Sequence, residues 1–539
     1  MGGRAVSLST LLAAGPSLGL IRAARRKLAD INRFSDKVLR LPLRRYQLQP
    51  LRAILTSVFA RDGMEFLLVF PRQAGKNEAV AQLLVYLLNI YCRQGGNIIY
   101  GAQGSGIGLG IDRLEQRLDN PWNATKWLKR AGPQRRRLGR AQVVFLSTHP
   151  QATARGQTAH HLLVIDEAQD QNQAHVERVF TPMRASTNAP ALYIGTVKLT
   201  SDFLWQKKLE LERLQEQDGI QRVFLVSPAI VARQNPYYGD FLRSQVLAHG
   251  RHHPIVASEY YLEPIDGAGG LFGPRRQALM RGRYERERQP QPGSIYVATV
   301  DVAGEDEAAT DPFARLANPA RDYTVATIFR VDYPPPDQFA PGPTYRAVDV
   351  FVDHGSKHFQ DVPGQPALVQ RLAAFLRLWD VAYIVSDESG VGLGLTSWLS
   401  SAFGEHRVLP FNFAGPGVKA ALGSAFLSIV ETGRFRYWQE EPHGDGASLG
   451  DAWWFYRQVE ACAYEVPPDG RFDRDLRWYV PANHKTDTPA GPQLTHDDRL
   501  LSAALVAEMD RKLATGNLHL GAALSAIVEP ADPLQELRF

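Results

Sequence analysis

Cysteine is scarce in this chain of 539 residues, which contains only Cys92 and Cys462. Two cysteines cannot build a disulfide framework or a cysteine-rich zinc site, and this favours a reducing compartment. Long apolar runs are also missing, because the longest, Ala79–Cys92, is interrupted by Gln82 and Asn89 and is too short to cross a bilayer. Charge of one sign is not in large excess, since the net charge is +5. Such a surplus permits a nucleic-acid partner without requiring one, because phosphate binds to local basic patches.

The chain has an ordinary globular composition, with 44% hydrophobic and 22% charged residues. This excludes a mostly disordered or fibrous protein, and the length predicts roughly three or four structural units. Strand-like and helix-like patterns alternate in two blocks, about 41–199 and 294–513, separated by a charged segment rich in Pro and Arg. Near the N-terminus, basic residues follow an apolar stretch, which predicts a basic arm and not a targeting peptide.

A candidate phosphate-binding loop opens the first block. Glu65–Phe70 has the short apolar run of a buried parallel strand, and a helical apolar pattern covers Ala79–Tyr91. In a loop between strand and helix, backbone N–H groups cradle phosphates and a lysine adds positive charge. The match to the usual motif is imperfect, because Phe70 replaces the first glycine and Asn77 replaces the hydroxyl residue that binds Mg²⁺. The candidate ATP ligands in this loop are Arg72, Gln73, Ala74, Gly75, Lys76 and Asn77.

A second strand pattern, His161–Ile165, ends in Asp166 and Glu167. An aspartate at the tip of a neighbouring parallel strand can hold the Mg²⁺ shell, and the following glutamate can polarise an attacking water. The alternative is an acidic strand end that caps the next helix. With the phosphate loop upstream, we interpret Asp166 as a metal-shell residue and Glu167 as the catalytic residue of an ATPase.

Four further residues are candidates for the same site, and Arg72 of the loop has a second candidate role. Thr196 follows another strand pattern and is placed to sense the γ-phosphate. Tyr46 is suited to stack on adenine and Gln47 to bind its edge, unless the pair is only a solvated helix start. Arg72 is a candidate for neutralising γ-phosphate charge within the chain. Arg155 is a candidate arginine finger for a neighbouring subunit, with a simple surface arginine as the alternative.

Carboxylates follow the structural signals of the second block. A strand pattern ends in Asp301, two more strands and a helix follow, another strand runs into Asp387, and a late amphipathic helix predicted over Arg499–Leu513 opens with Asp497 and Asp498. This is the order of an RNase H-like fold, in which carboxylates from two adjacent strands and a late helix converge. The Pro-rich residues 334–343 fall between two strand patterns and predict a long hairpin loop.

These residue types suit metal-dependent phosphodiester cleavage. Two Mg²⁺ or Mn²⁺ ions about 3.5–4 Å apart can activate water and stabilise the leaving oxygen, and both ions prefer oxygen ligands. Each aspartate has an alternative: Asp301 as a turn residue, and Asp387, Asp497 or Asp498 as helix N-caps. We take Asp301, Asp387 and Asp498 as the metal-binding catalytic residues, with Asp497 as the neighbouring candidate ligand.

Other residues are less informative. Arg135–Arg137, with Arg140, is a candidate contact for DNA phosphate, although a solvated loop is an equal alternative. Lys419, at the head of a predicted helix, is a candidate to approach the scissile phosphate, whereas we take His496 as structural.

The ordered set of motifs resembles the large terminase subunit of tailed bacteriophages, over about residues 41–513. The resemblance rests on Arg72-Gln73-Ala74-Gly75-Lys76, Arg155-Gly156, Leu163-Val164-Ile165-Asp166-Glu167-Ala168, Gly195-Thr196, Asp301, Asp387 and His496-Asp497-Asp498. It implies an α/β protein with an N-terminal P-loop (RecA/ASCE-like) ATPase domain and a C-terminal RNase H-like nuclease domain. The deviant phosphate loop is itself typical of that family, but Asn77 leaves open how Mg²⁺ is held.

The resemblance also implies a domain organisation and partners. We expect a basic N-terminal arm (1–40), an ATPase core (41–202), a lid subdomain and linker (203–290), a nuclease domain (291–513) and a C-terminal tail (514–539). The implied cofactors are ATP and Mg²⁺, with Mn²⁺ in the nuclease site. The implied partners are double-stranded DNA, the procapsid portal, the small terminase subunit and further copies in an assembled ring, with a monomer in solution as an open alternative. The implied location is the host cytoplasm and, transiently, the portal, but not the mature virion or a membrane.

Two other functions compete with this hypothesis. A helicase-like repair ATPase fused to a structure-specific nuclease would carry a second RecA-like domain, and the sequence has no second Gly-Lys loop. A non-catalytic capsid-assembly protein would tolerate decayed sites, whereas Lys76, Asp166, Glu167 and the aspartates are intact.

Overall fold

The computed structural model describes residues 29–520, apart from 129–131, 153, 155, 304–321, 336–340, 441–448, 469, 517 and 519. The chain divides into two compact units. The first extends to Leu242 and includes Ala257–Asp266, and the second contains Arg243–Val256 and continues from Gly267. The expected lid and linker, residues 203–290, therefore contribute to both units. Within the described ranges, no helix has the length and apolarity needed to cross a bilayer.

An eight-stranded sheet forms the centre of the first unit. Its strands are β1 Glu65–Val69, β2 Gly96–Ala102, β3 Trp127–Leu128, β4 Arg135–Leu138, β5 Ala141–Ser147, β6 Leu162–Ile165, β7 Ala191–Gly195 and β8 Val223–Leu225. The order is β3-β4-β5-β2-β6-β7-β1-β8, and β8-β1-β7-β6-β2 are parallel. One strand, β7, separates the loop strand β1 from the acidic strand β6, which is the ASCE order. The acidic strand β6 therefore does not pair directly with the loop strand β1, because β7 lies between them.

Helices cover the faces of this sheet because its central strands are apolar and buried on both sides. The helices of this unit are Ile31–Phe34, Arg45–Ala60, Lys76–Tyr91, Gly106–Leu118, Gln173–His175, Phe203–Asp218 and Pro228–Gln234. Pro236–His249 and Pro254–Glu259 lie where the chain leaves this unit and returns to it. The expected alternative of a solvated loop at Arg135–Arg137 is wrong, because these residues pair with β5 as the antiparallel strand β4.

A six-stranded mixed sheet forms the centre of the second unit. The strands of this unit are β9 Ala268–Gly270, β10 Ile295–Asp301, β11 Thr324–Asp332, β12 Thr344–Asp353, β13 Ile384–Asp387, β14 Val408–Phe411, β15 Phe435–Tyr437, β16 Ala463–Glu465, β17 Arg477–Tyr479, β18 Lys485–Thr488 and β19 Gly491–Leu494. The main order is β14-β13-β10-β11-β12-β15, with β11 antiparallel to both neighbours and β13 parallel to β10. This is the RNase H strand order, so the predicted fold class is confirmed. Smaller sheets have the orders β17-β16-β9 and β18-β19.

The helices of the second unit pack on this sheet and carry the late aspartates. They are Pro274–Met280, Leu368–Leu378, Gly392–Phe403, Val418–Glu431, Asp451–Ala461, Phe472–Asp475, Asp498–Ala504 and Val506–Ala514. The single helix predicted over Arg499–Leu513 is wrong in one respect. Two helices meet at Leu505, whose ψ of −15° departs from α-helical geometry and interrupts the regular hydrogen bonding. The shorter first helix is nearly all buried, so packing on the sheet sets its direction.

Candidate functional sites

The phosphate loop has the backbone shape that its glycine and lysine predict. Gly75 has a φ of 83°. Gln73 also occupies the left-handed region, with a φ of 64°, although it is not a glycine. Lys76 begins the buried helix that follows, and its side chain is only 9% exposed. Its Nζ lies 3.2 Å from Glu167 Oε1, so the sheet brings the predicted lysine and the predicted catalytic glutamate together.

Two residues of the Arg45–Ala60 helix hold this loop from behind. The Tyr46 hydroxyl donates to Ala74 O at 2.8 Å, and Gln47 Nε2 donates to Gly75 O at 3.0 Å. Both side chains are buried, so the alternative of a solvated helix start is wrong. Their polar groups contact loop carbonyls, and this fixes the loop from which backbone N–H groups would meet phosphate. The adenine contacts expected of Tyr46 and Gln47 stay a prediction.

Asp166 and Glu167 have opposite electrostatic environments despite being adjacent. Asp166 is buried at the end of β6, where the Tyr100 hydroxyl donates to Oδ2 at 2.6 Å, and burial raises its pKa. Burial also raises the pKa of Glu167, but the charge of Lys76 and a hydrogen bond from Gln169 outweigh burial and lower it overall. Glu167 is therefore held ionised, which is the state that a residue polarising water requires.

Gln169 connects Glu167 to the end of β7, and sequence reasoning missed it. Its Nε2 donates to Glu167 Oε2 at 2.7 Å, and its Oε1 accepts from Thr196 N–H at 3.1 Å. A Cβ on Gly195 would lie 2.2 Å from Gln169 Oε1, so a glycine at this position makes room for the bridge. The predicted γ-phosphate sensor Thr196 and the predicted catalytic glutamate therefore share one amide.

Arg72 forms an ion pair with Glu259, a contact that was not predicted from the sequence. Its Nη1 lies 2.6 Å from Glu259 Oε2, and its backbone N–H donates to Glu259 O at 2.8 Å. The Arg72 side chain is 52% exposed, so the pair is accessible to a competing anion. Arg155 lies outside the described residues, and its expected role as an arginine finger stays a prediction.

Asn77 stands where a Mg²⁺-binding hydroxyl is expected. Its Oδ1 is buried and, among the residues that the structure describes, accepts no hydrogen bond. A buried carbonyl oxygen without a donor is costly unless a ligand satisfies it. Because amide oxygen is an accepted ligand for hard cations, the residues present fit a magnesium ion near the phosphate loop.

In the second unit, the sheet register places Asp301 beside Asp387. The parallel strands β10 and β13 pair Val300 with Ser386, and each strand ends at the next residue, which is the aspartate. Both side chains are buried. Ser389 N–H donates to Asp387 Oδ1 at 2.8 Å, so Asp387 also forms the local turn contact of the capping alternative.

Asp498 joins them from the Asp498–Ala504 helix. Ser502 seats this helix on the sheet, because its Oγ lies 3.2 Å from Thr299 O and 2.9 Å from Thr327 Oγ1. Asp498 is buried, whereas Asp497 is more exposed and its Oδ2 lies 3.7 Å from Lys419 Nζ. The two adjacent aspartates therefore differ: Asp498 faces the buried carboxylates and Asp497 faces a lysine.

The pKa of each of these carboxylates is raised by its surroundings. Burial, Asp498 and Asp387 raise the pKa of Asp301 well above its ordinary value, with only a partial opposing effect from Lys419. Burial and Asp322 raise the pKa of Asp498 to about 7. Burial also raises the pKa of Asp387. Neighbouring carboxylates oppose one another's ionisation, and a bound divalent cation removes this repulsion and stabilises the ionised form. These residues therefore fit the predicted metal site.

Two residues beside this group were missed or undervalued from the sequence. Asp322 precedes β11, and His496 precedes the aspartate pair. Ligand atoms of Asp322, His496 and Asp498 all lie within 4.8 Å of one another. His496 was taken as structural, and Asp322 carries no sequence signal because it follows no strand or helix pattern.

Comparison with solved structures returns large terminases, the family that the motifs resemble. The HK97 bacteriophage large terminase is 12% identical and aligns over 90% of this chain and 99% of its own, with a TM-score of 0.37. The large terminase of a thermophilic bacteriophage, solved in complex with ADP, is 10% identical over 86% and 99% of the two chains, with a TM-score of 0.39. The large terminase nuclease of thermophilic phage G20c with bound magnesium is 16% identical over 44% and 96%, with a TM-score of 0.29.

These TM-scores are low, so the fold class is taken from the strand orders of the two sheets and not from the superpositions. No protein-family profile matches the chain. No curated protein matches it in sequence either.

Proposed function

We propose that this protein is the large terminase subunit of a tailed bacteriophage, a motor that hydrolyses ATP to move double-stranded DNA into a procapsid. The same chain would cut concatemeric DNA with a two-metal endonuclease. One observation carries the proposal: a single chain combines an ASCE-ordered sheet with Lys76 facing Glu167 and an RNase H-ordered sheet with buried aspartates at adjacent strand ends. Each half alone is common, whereas their combination matches a packaging motor that also cuts DNA.

In the ATPase half, the loop backbone and Lys76 would bind the phosphates, and Glu167 would orient the attacking water. Bound Mg²⁺ would supply positive charge near the β- and γ-phosphates, held by Asn77 and the shell of Asp166. When Lys76 binds a phosphate of ATP, its ion pair with Glu167 would break. The Glu167 carboxylate would then be available to bind the attacking water. Gln169 would then fix the carboxylate relative to Thr196, so that hydrolysis depends on the position of β7.

In the nuclease half, Asp301, Asp387 and Asp498 would hold the metal ions, and Asp497 would serve as an outer ligand or keep Lys419 in place. Divalent ions supply activated water and stabilisation of the leaving oxygen when bound. Lys419 Nζ lies 3.7 Å from Asp497 Oδ2, and its side chain is 38% exposed, so its ammonium would be accessible to a DNA phosphate near the carboxylates.

The proposed partners follow from this function. They are double-stranded DNA, the procapsid portal, the small terminase subunit and further copies of this chain in a ring, in which Arg155 would act on a neighbour's ATP. The proposed location is the host cytoplasm and, during packaging, the portal.

The test is to incubate the purified chain with plasmid and Mn²⁺ or Mg²⁺, with and without ATP, and to follow both DNA cutting and phosphate release. We expect metal-dependent cutting that Asp387→Asn removes and ATP hydrolysis that Lys76→Ala removes. Asp380→Asn is the matched control, because this aspartate has a side chain that is 94% exposed. Cutting by Asp387→Asn equal to that of the parent would refute the nuclease site, and hydrolysis by Lys76→Ala would refute the ATPase site.

A further inference from the structure

An exposed apolar patch lies just after the strand that carries Asp387. It consists of Val391, Leu393 and Phe359, which are 54%, 60% and 55% exposed, respectively. A Cβ on Gly394 would lie 3.5 Å from two atoms of the Phe359 ring, so this ring is next to the helix start that carries Leu393. Large apolar side chains that stay in water at neighbouring positions indicate a binding surface.

The patch is attached to the sheet edge at which the two strand-end aspartates lie. Gly392, between the two aliphatic residues of the patch, packs against the ends of β13 and β10. A Cβ built on it would lie 2.3 Å from Asp387 O and 3.5 Å from the Cβ of Val302, which follows Asp301. Only glycine permits so close an approach. A duplex bound at the two aspartates would therefore also reach the patch.

Hydrogen bonds hold this helix start firmly on the strand. Thr396 Oγ1 donates to Asp387 O at 3.0 Å and lies 2.7 Å from Ser386 Oγ. The Gly392 N–H donates to Ser389 O at 2.9 Å. Inserting an apolar side chain between stacked bases costs a few kcal/mol of stacking energy. A helix start anchored in this way can support such an insertion without first having to become ordered.

Duplex DNA fits this patch better than a protein partner does. An aromatic side chain buries only about 150–250 Å², so three side chains that are each a little over half exposed fall well short of the roughly 1,200 Å² of a stable protein interface. Leucine and phenylalanine are among the residues that unstack base steps, and a few such side chains suffice. The first turn of the Gly392–Phe403 helix has no acidic residue, so it adds no negative charge against a phosphate backbone.

We propose that Leu393, flanked by Val391 and Phe359, is a wedge that enters duplex DNA and unstacks a base step near the scissile phosphate. This inference rests on the proposed nuclease and adds to it a deformation of the substrate and a preference among cutting sites. Pyrimidine–purine steps are flexible and easily unstacked, so cutting should favour them although the patch has no hydrogen-bonding side chain. Leu393 would be a positioning residue, because it touches DNA but not the reacting atoms.

The first test measures unstacking by the full chain. A short G·C-rich duplex contains one TA step, in which 2-aminopurine replaces the adenine and gains fluorescence when it is unstacked. Ca²⁺ serves as the cation, and gel electrophoresis shows whether the DNA stays intact. We expect the fluorescence to rise several-fold when the parent chain binds, and most of this rise to be lost in Leu393→Ser. Leu393→Met, which keeps a large apolar side chain, should restore it.

The second test measures cutting of plasmid with Mg²⁺. We expect Leu393→Ser to cut about tenfold more slowly than the parent, and sequencing of the cut ends should show that its preference for pyrimidine–purine steps is lost. Leu378→Ser is the matched control, because Leu378 is 52% exposed at the end of another helix of the same unit. Thermal melts show whether each variant is folded.

The outcomes separate this inference from the nuclease assignment. A parent chain that binds the duplex without a rise in fluorescence would overturn the wedge, even if it cuts DNA. Equal fluorescence and equal site preference in folded Leu393→Ser would also overturn it. Loss of self-association in this variant, with fluorescence unchanged, would assign the patch to a second copy of the chain. If the parent chain shows the rise and never cuts DNA, the wedge stands and the nuclease assignment fails.

Discussion

In the first unit, the charged groups near the phosphate loop face partners of opposite sign, whereas Asp301 and Asp498 of the second unit are buried beside other aspartates. Lys76 is paired with Glu167, and Arg72 is paired with Glu259. Asp301, Asp387 and Asp498 share a buried region in which the pKa of each is raised. The charges of Lys76 and Arg72 are therefore balanced within the chain, whereas the aspartates of the second unit need cations from outside to become a set of ionised ligands. This contrast gives the two sites different responses to mutation, pH and metal.

The largest effect should come from the aspartates of the second unit. Replacing Asp301, Asp387 or Asp498 by Asn should each reduce plasmid cutting by about three orders of magnitude, because each removes a ligand from one shared metal site. The triple variant should be little worse than any single one. Cutting should be measured with Mn²⁺ and Mg²⁺ beside Asp380→Asn. Additive losses would show that the three side chains do not act as one unit.

The next effect concerns the paired charges of the first unit. Lys76→Ala and Glu167→Gln should each reduce ATP hydrolysis by about 10² to 10⁴-fold, because they remove the phosphate-binding charge and the group that orients water. Plasmid cutting by these variants should match that of the parent. Lys37→Ala, a change at a largely exposed lysine, is the control. Loss of cutting in a folded Lys76→Ala protein would contradict the independence of the two sites.

The contrast also predicts how pH acts on stability without metal. The pKa of Asp498 is raised to about 7 in the folded protein, whereas an aspartate in an unfolded chain has a pKa of about 3.9. The folded state therefore binds more protons, and the free energy of unfolding should fall as pH rises from about 4 to about 7. Asp498→Asn should flatten this slope. Added Mn²⁺ should stabilise the parent more at the upper end of the window, because it competes with protons.

Thermal or urea unfolding at a series of pH values, with EDTA or with Mn²⁺, measures this effect. Asp380→Asn should retain the slope of the parent. A stability that rises with pH over this window in EDTA would indicate that the carboxylates are neutralised by groups of the chain.

A smaller effect is expected at the amide that links Glu167 to β7. Gln169→Leu keeps the size of the side chain but removes both hydrogen bonds, and it should reduce the kcat for ATP about tenfold with little change in ATP binding. Gln173→Leu, at an exposed glutamine, is the control. A loss confined to ATP affinity would mean that Gln169 supports the loop and not the catalytic carboxylate.

The smallest effect should come from Glu259→Gln. The Arg72 side chain of this ion pair is 52% exposed, so loss of the pair should change the free energy of unfolding by less than about 1 kcal/mol. If Arg72 binds the γ-phosphate, Glu259→Gln should free Arg72 from its ion pair and lower the KM for ATP a few-fold. Arg72→Ala should instead raise this KM. Steady-state kinetics at low salt measure both changes. A rise in KM in both variants would show that Arg72 acts only through its contact with Glu259 and does not bind the γ-phosphate.

How much of this could be predicted depends on whether a residue stands at the end of a recognisable strand or helix pattern. Asp301 and Asp387 follow strand patterns, and the sheet order implied by those patterns places them together. Lys76 and Glu167 were found for the same reason. Asp322 follows no strand or helix pattern, and the role of Gln169 depends on a bridge to Thr196 that only the folded sheet creates.

Local signals failed where packing decided the outcome. The arginines of β4 look like solvated loop residues, but pairing with β5 makes them a strand. The helix near Leu505 has one continuous amphipathic pattern, yet the structure divides it at that residue into two helices, the first of which is almost entirely buried. In both cases tertiary contacts override the local preference.

The register between β10 and β13 also has a consequence for synthesis. Asp301 and Asp498 are separated by roughly two hundred residues along the chain, and a domain of this kind folds as a unit after its last element has been made. A chain still being translated therefore holds Asp301 and Asp387 without the helix that brings Asp498. A nuclease of the proposed kind would therefore have its full set of aspartates only once synthesis has passed Asp498.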